Sequence, residues 1–94
     1  MTDIKQIYND TKGAFEVYVD GKKVGEMTYS WSGDDKFIID HTEVEPEYNG
    51  QGLAKQLVIA GVEYARTNNK KIIPLCTYAK ATIAKNVDLQ DVLA

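Results

Sequence analysis

The hydrophobic period of the sequence changes between Pro46 and Gly52, and this change restricts the folds open to the chain. Before it, apolar and polar residues alternate, which is the pattern of strands with one buried face. From Leu53 onward, apolar residues recur at intervals of three and four, which is the pattern of a helix with a wide buried face. Strands followed by a helix that covers them predict a mixed α/β (α+β) fold.

Three strands are predicted before the change: Ala14–Val19, Lys23–Trp31 and Lys36–Val44. The first two are joined by Asp20-Gly21, a pair that tolerates the positive φ of a tight hairpin, and the next two by Ser32–Asp35. Because short turns join consecutive strands, we expect a three-stranded antiparallel meander. The first dozen residues also allow a short leading strand.

A helix, a strand and a second helix are predicted after the meander. The helix that starts at Leu53 is expected to end near Asn68-Asn69, because asparagine accepts the left-handed conformation common at helix C-termini. The short run Lys70–Leu75 then predicts a strand, and a right-handed crossover makes it parallel to Lys36–Val44. A short C-terminal helix is predicted over about Tyr78–Lys85.

The composition excludes several classes of protein. The 94 residues have room for one domain, 1–94, and a hydrophobic content of 44% is too high for a disordered chain. A net charge of −3 argues against a nucleic-acid partner, and no apolar run approaches the roughly 20 residues that cross a membrane. The single cysteine cannot form an internal disulfide, so we expect a cytoplasmic protein, and no metal ion is expected.

The segment from Val44 to Lys55 carries the chemical information. It passes from a strand end through the glycine loop Asn49-Gly50-Gln51-Gly52 into the first residues of a helix. Glycines let a ligand approach the backbone, and the first helix amides have no intrahelical partner, so such a loop suits an anion. No Gly-Lys-Ser/Thr follows, so the loop is not a P-loop. A tight turn in a purely structural α/β domain is the alternative interpretation.

In its setting, this segment resembles the pyrophosphate loop of the GNAT superfamily of acetyl-CoA-dependent N-acetyltransferases. That loop usually reads Gln/Arg-x-x-Gly-x-Gly/Ala after a strand ending in Val-x-Pro, and here Asn49–Ala54 follow Val44-Glu45-Pro46. The chain is similar in particular to the very short, single-domain branch, which shares the strand end His41–Val44 and the sequence Cys76-Thr77-Tyr78. The resemblance covers about Phe15 to Asp91.

The resemblance implies a fold, a co-substrate and a reaction. The fold joins the meander to a glycine loop, a central helix, a parallel strand and a short C-terminal helix. The reaction transfers an acetyl group from acetyl-CoA to an amine acceptor, which is a small molecule, a polyamine, or a lysine or N-terminus of a protein or peptide. The residues implied to bind CoA are Val44, Asn49, Gly50, Gln51, Gly52, Leu53, Ala54 and Lys55.

Three side chains are candidates for the chemistry. In the resembling fold the pantetheine arm of CoA enters between the third meander strand and the last strand, and Cys76 directly follows that last strand. Its thiol either forms an acyl-enzyme or protonates the departing CoA thiolate. His41 and Glu43 are the candidate bases, since only a neutral amine attacks a thioester. Strict alternation places both on the same strand face as Phe37 and Ile39.

Departures from the superfamily pattern favour a second interpretation. Asn49 stands where most members have Gln or Arg, and the tyrosine that serves them as general acid aligns with Ile83 or Ala84. The chain also has no room for the two helices that usually follow the first strand and form the acceptor-side wall. The alternative is therefore a catalytically weak CoA-binding module with a regulatory or interaction role. The oligomeric state stays open between a monomer and a weak dimer.

Charge is distributed unevenly along the chain. Residues 1–47 carry five cations and eleven anions, a net −6, whereas residues 48–94 carry six cations and three anions, a net +3. The glycine loop lies at the start of the positive half, which suits the anionic CoA. The negative half contains most of the meander and would attract a cationic amine.

Overall fold

Five strands form one sheet in the order β1-β2-β3-β4-β5 in the computed structural model, which describes residues 1–94. The strands are β1 (Thr2–Tyr8), β2 (Lys12–Val19), β3 (Lys22–Ser32), β4 (Lys36–Val44) and β5 (Lys71–Pro74). The helices are α1 (Leu53–Thr67) and α2 (Thr77–Lys85), and 3-10 turns lie at Pro46–Tyr48 and Val87–Val92.

The strand directions confirm the predicted meander and crossover. Strands β1 to β4 pair antiparallel in sequence order, and β5 pairs with β4 in parallel. The leading strand extends the meander to four strands, since all seven residues of β1 pair with β2. Helix α1 ends at Thr67, and Asn69 has a φ of 56°, the left-handed conformation expected after a helix.

One face of the sheet forms the hydrophobic core. Both helices lie on this side, because α1 packs on β2, β3 and β4 and α2 packs on α1. Full burial of a large apolar side chain contributes about 1.5–3 kcal/mol. The largest buried side chains come from both layers: Tyr29, Phe37, Met27, Ile39, Leu57 and Ile72. No helix combines the length and the apolar character that a membrane crossing requires.

The opposite face of the sheet carries no helix and is called the open face below. A row of charged residues crosses it, because the strand register aligns Lys5, Glu16, Glu26 and Glu43. Lys23 Nζ lies 2.9 Å from the Glu16 carboxylate and 2.6 Å from that of Glu26. The hydrogen bond from Lys23 holds the pKa of Glu16 below its usual value. This row of the open face is therefore charged, and its own ion pairs partly neutralise it.

A β-bulge interrupts the alternation of β4. Tyr29 on β3 pairs with Ile39, but the neighbouring Thr28 pairs with His41, so Asp40 is the extra residue on β4. One extra residue reverses the side to which every later side chain points. On β4, odd-numbered residues therefore point to the helix side before the bulge, and even-numbered residues do so after it.

The prediction that His41 and Glu43 share a face with Phe37 and Ile39 is wrong. Phe37 and Ile39 are fully buried on the helix side. Beyond the bulge Thr42 takes the helix side, and His41 and Glu43 lie exposed on the open face. A regular alternation cannot show the position of one inserted residue, which is why the sequence pattern misplaced them.

Gly25 lets β3 approach β4 beside the site described next. A Cβ atom there would lie 2.7 Å from the Glu43 carbonyl oxygen, which cannot move unless β4 shifts. Gly25→Ala should therefore lower the free energy of unfolding by about 1–3 kcal/mol, measured by urea denaturation. Gly61→Ala is the matched control, because its methyl group would meet the flexible end of Met27 and alanine favours a helix. Equal losses in both variants would contradict this interpretation.

Candidate functional site

The glycine loop ends in an exposed helix N-terminus. Gly50 and Gly52 have φ values of 82° and 77°, a backbone conformation that other residues rarely adopt. The amide of Gln56 donates to the Gly52 carbonyl at 3.1 Å, which is the first turn of α1. The amides of residues 53–55 precede this bond, so they have no intrahelical acceptor, and the helix dipole adds about half a positive charge beside them. The loop therefore offers several donors to an anion.

A cavity of about 380 Å³ lies against the loop. Six of the predicted CoA-binding residues line it: Val44, Asn49, Gly50, Gly52, Leu53 and Ala54. The other two, Gln51 and Lys55, are exposed and do not line it. Tyr48 and Tyr78 complete the wall. Tyr78 belongs to the first turn of α2, so the cavity joins the loop to the segment that follows β5.

Strands β4 and β5 separate at one end of the sheet. Their last pair is Ile39 with Pro74, and the amides of Leu75 and Cys76 both donate to the Ile39 carbonyl, at 3.1 and 2.9 Å. Pro74 contributes no amide hydrogen, and the chain turns into α2 directly after Cys76. The remainder of β4, up to Val44, therefore has no neighbour on the β5 side. This space between the two strands is called the gap below.

Unpaired backbone groups of β4 face the gap. The amide of Glu45 donates to the Val24 carbonyl at 2.8 Å, so the groups of Glu45 face β3. In an antiparallel ladder, alternate residues direct their backbone groups to opposite sides. The amides and carbonyls of Thr42 and Val44 therefore face the gap. Val44 is one of the residues implied to bind CoA, and the backbone of Thr42 is a further candidate that the sequence analysis missed.

Cys76 borders the gap on the helix side of the sheet. It is buried, with 8% of its surface exposed, and its thiol donates to Thr42 Oγ1 at 3.4 Å across the gap. It is also the N-terminal cap residue of α2, where its carbonyl accepts the amide of Lys80 at 2.9 Å. A thiol at a helix N-terminus experiences the positive end of the dipole. The expected position of Cys76, between the last strand and a helix, is confirmed.

His41 and Glu43 lie on the other side of β4. The Nε2 atom of His41 is 3.7 Å from the Glu43 carboxylate, and both side chains are more than 60% exposed. The structure therefore does not bring His41 together with Cys76, because one belongs to the open face and the other to the helix side. The two side chains therefore lie on opposite faces of the sheet.

Lys22 is a cation near the loop that the sequence analysis missed. It comes from the start of β3, and its Nζ atom lies 3.6 Å from Glu45, 3.7 Å from Glu47 and 5.9 Å from the centre of the Tyr48 ring. The two carboxylates raise the pKa of Lys22, so it stays charged. More than twenty residues separate Lys22 from Glu45 in the sequence, so local patterns do not predict this contact. It also shows that the acidic half of the chain contributes both signs of charge to the segment just before the loop.

The second helix offers no acid at the positions expected from the superfamily. Ile83 is buried in the core and Ala84 is exposed, and neither side chain carries a proton to donate. No group of three or more His, Cys, Asp or Glu side chains is arranged to hold a metal ion.

Comparison with known proteins agrees with this geometry. The sequence model of the GCN5-related N-acetyl-transferase family matches residues 14–92. A GCN5-like protein from Staphylococcus aureus is 38% identical, over 98% of this chain and 87% of that one, with a TM-score of 0.73. The ribosomal-protein-alanine N-acetyltransferase of Brucella melitensis biovar Abortus 2308 is 15% identical over 90% of both chains, with a TM-score of 0.77. No curated protein matches the chain.

These similarities define a class of protein, the acetyl-CoA-dependent N-acetyltransferases. An aminoglycoside N-acetyltransferase in complex with CoA shares the fold, at 17% identity over 88% of both chains and a TM-score of 0.64. Because the family match spans residues 14–92, the chain belongs to the GCN5-related N-acetyltransferase (GNAT) family. The resemblance inferred from the loop is confirmed.

The two loop glycines allow a test of the anion site. Around Gly52 there is open space for a Cβ atom, so Gly52→Ala would cost only the strain of its positive φ, about 1–2 kcal/mol of unfolding free energy. Gly21→Ala in the β2–β3 turn is the matched control, with a φ of 85° and equally open surroundings. We expect equal stability losses in urea, but CoA affinity in calorimetry reduced about tenfold only by Gly52→Ala. Equal CoA affinities of the two variants would argue against the loop as the site.

Proposed function

We propose that the chain binds acetyl-CoA at the glycine loop and transfers the acetyl group to a primary amine. The observation that supports this best is the continuity of the site. The loop cavity reaches Val44, and from Val44 the unpaired edge of β4 leads along the gap to Thr42 and Cys76. A long anionic thioester requires such a path, with donors for its phosphates at one end and reactive side chains at the other.

The loop suits the pyrophosphate of CoA in charge and hydrogen bonding. CoA carries roughly four negative charges at neutral pH. The free amides at the start of α1 would donate to the phosphate oxygens, and Asn49, one of the residues that line the cavity, would add its side-chain amide as another donor. Lys22 would exchange its contacts with Glu45 and Glu47 for a phosphate. Gln51 and Lys55 would contribute their backbone amides.

The transfer forms one bond and breaks one. The amine nitrogen attacks the carbonyl carbon of the thioester, a C–N bond forms, the C–S bond breaks, and the CoA thiolate leaves. An amide that faces the gap, from Thr42 or Val44, would donate to the carbonyl oxygen as negative charge develops on it. The acceptor nitrogen loses two protons, one from the ammonium before attack and one after the C–N bond has formed. One proton is taken up by the CoA thiolate, and the other is released to solvent.

The two faces of β4 would divide these proton transfers. On the open face, His41 accepts the proton of the amine, and Glu43 stabilises the resulting imidazolium. On the helix side, the Cys76 thiol, oriented by its hydrogen bond to Thr42, has two roles open to it. It either protonates the CoA thiolate and regains a proton from solvent, or attacks the thioester first and carries the acetyl group to the amine.

Direct binding of CoA tests the first half of the proposal. Calorimetric titration should give a saturable heat, and desulfo-CoA should compete, because the loop contacts do not involve the sulfur. A chain that gave no heat and no competition would have only a structural loop, and the CoA proposal would be wrong.

Turnover tests the second half. His41→Gln should lower kcat/KM for amines by about 100-fold or more and leave the CoA affinity unchanged, since His41 lies away from the loop. If Cys76 forms an acyl-enzyme, rapid quenching after mixing with acetyl-CoA alone should show an acetyl mass increment on Cys76 that is absent in Cys76→Ala. If no increment appears, only direct transfer remains. An unchanged kcat/KM in His41→Gln would exclude His41 as the base.

A second candidate function is a CoA-binding module with little catalysis. It is favoured by one observation, the absence of a proton donor at Ile83 and Ala84 in α2. An assay of CoA-thiol release by the wild-type protein distinguishes the two functions. A module would bind CoA but release CoA thiol from acetyl-CoA no faster with a broad panel of amines than without them.

A further inference from the structure

We propose that the acceptor is a zwitterionic primary amine of the amino-acid class and that it binds in a second cavity, on the open face. This inference rests on the acetyl transfer proposed above and specifies its acceptor. The cavity has a volume of about 620 Å³, larger than the loop cavity. Small-molecule sites usually have volumes of about 300–1,000 Å³.

The cavity lies over β1, β2 and β3 and reaches β4 at Asp40, the residue directly after the last one that pairs with β5. The register aligns Ile7, Ala14 and Thr28 in one row across β1, β2 and β3, and all three line the cavity. The same row continues on β4 to His41, the partner of Thr28. Because adjacent strands are about 4.8 Å apart, an amine above Thr28 is one strand away from the proposed base.

Two charged side chains line the cavity. Asp40, the bulge residue, accepts a hydrogen bond from Ser30 Oγ at 2.6 Å, which orients its carboxylate without neutralising it. Lys12 lies on the open face opposite Ser30 in the β2–β3 register. The side chain of Asn9 accepts the amide of Lys12 at 2.9 Å, so the turn that carries the lysine is fixed. Neither charge forms an ion pair within the chain.

A carboxylate and an ammonium group in one cavity are complementary to a ligand that carries both charges. The ligand ammonium would bind Asp40, next to His41, and its anionic group would bind Lys12. The apolar side chains of Ile7 and Ala14 would contact its carbon chain. A polyamine fits less well, because its second ammonium would lie near Lys12. The negative net charge of the first half of the chain therefore does not by itself define the acceptor.

The position of Asp40 would also bring the amine close to the proposed base. The bulge places Asp40 directly before His41 and directly after Ile39, the last residue that pairs with β5. The Asp40 carboxylate is bonded to Ser30 of β3, so an ammonium held there would lie about one strand spacing from the gap. His41 then takes one proton from the ammonium, and the neutral amine forms the C–N bond. CoA leaves with the electrons of the C–S bond, and the second proton of the nitrogen balances protonation of the CoA thiolate.

Four-carbon amines of different charge test the acceptor class. The probes are 4-aminobutanoate and 2-aminobutanoate, which are zwitterions, butylamine, a cation, and 1,4-diaminobutane, a dication. In an assay of CoA-thiol release, we expect at least one zwitterion to exceed butylamine about tenfold in kcat/KM, and the diamine to be poorest. Butylamine or the diamine as the best acceptor would overturn the proposal.

Variants of the two charged residues separate their roles. Lys12→Gln should remove the advantage of the zwitterion over butylamine, and Lys12→Glu should favour the diamine. Asp40→Asn should raise KM for every amine about tenfold while CoA affinity stays unchanged. Asp34→Asn and Lys36→Gln, outside the cavity, are the matched controls. If Lys12 and Asp40 variants behave like these controls, the cavity is not the acceptor site.

Binding can also be followed without turnover. In an NMR titration of the CoA-saturated protein with the same four amines, the amides of Ala14 and Thr28 should shift with the zwitterion at concentrations where butylamine has no effect. No shift with any zwitterion would overturn the proposal even in a chain without catalysis. Failure of CoA to bind would instead contradict the proposed function, so the two failures are distinguishable.

Discussion

The carbonyl oxygen of Ile39 accepts two hydrogen bonds, from the amides of Leu75 and Cys76, the two residues directly after β5, and strand pairing with β4 ends at this point. If β5 continued along β4, the amides of Thr42 and Val44 would enter the parallel ladder and no gap would exist. Pro74 helps to end the strand because it has no amide hydrogen. A small domain thereby obtains free backbone donors inside its sheet, next to the part of β4 that pairs with β5.

The bulge at Asp40 gives this gap two chemically different sides. Without the extra residue, His41 and Glu43 would follow the buried pattern of Ile39 and point at the helices, where two ionisable groups would be costly to desolvate. With it, they lie exposed on the open face, and Thr42 turns toward Cys76 on the helix side. A proton acceptor and a thiol can then act on one thioester without contact between them.

The hydrophobic periods were sufficient to predict the strands, the long helix and the parallel crossover, because each depends on local patterns and on the handedness of the connection. The glycine loop was predictable for the same reason, as its conformation is local. Lys22 and Tyr78 could not be assigned to the site, since only the folded sheet brings them to the loop. The bulge could not be predicted, because the sequence pattern does not show which residue of β4 lies outside the regular register. The bulge nevertheless determines the face on which His41 lies.

The short turn between β1 and β2 leaves the acceptor side of the sheet open to solvent. Helices in that connection would cover the open face and exclude water from the acceptor, and electrostatic contacts are stronger in such a dry site. Here the acceptor side consists of strand side chains fixed by the ladder, so it cannot close over a ligand. Charges such as Asp40 and Lys12 must act in contact with solvent, where individual ion pairs contribute little. A site of this kind selects its acceptor by charge pattern and shape together, with moderate rather than large discrimination between related amines.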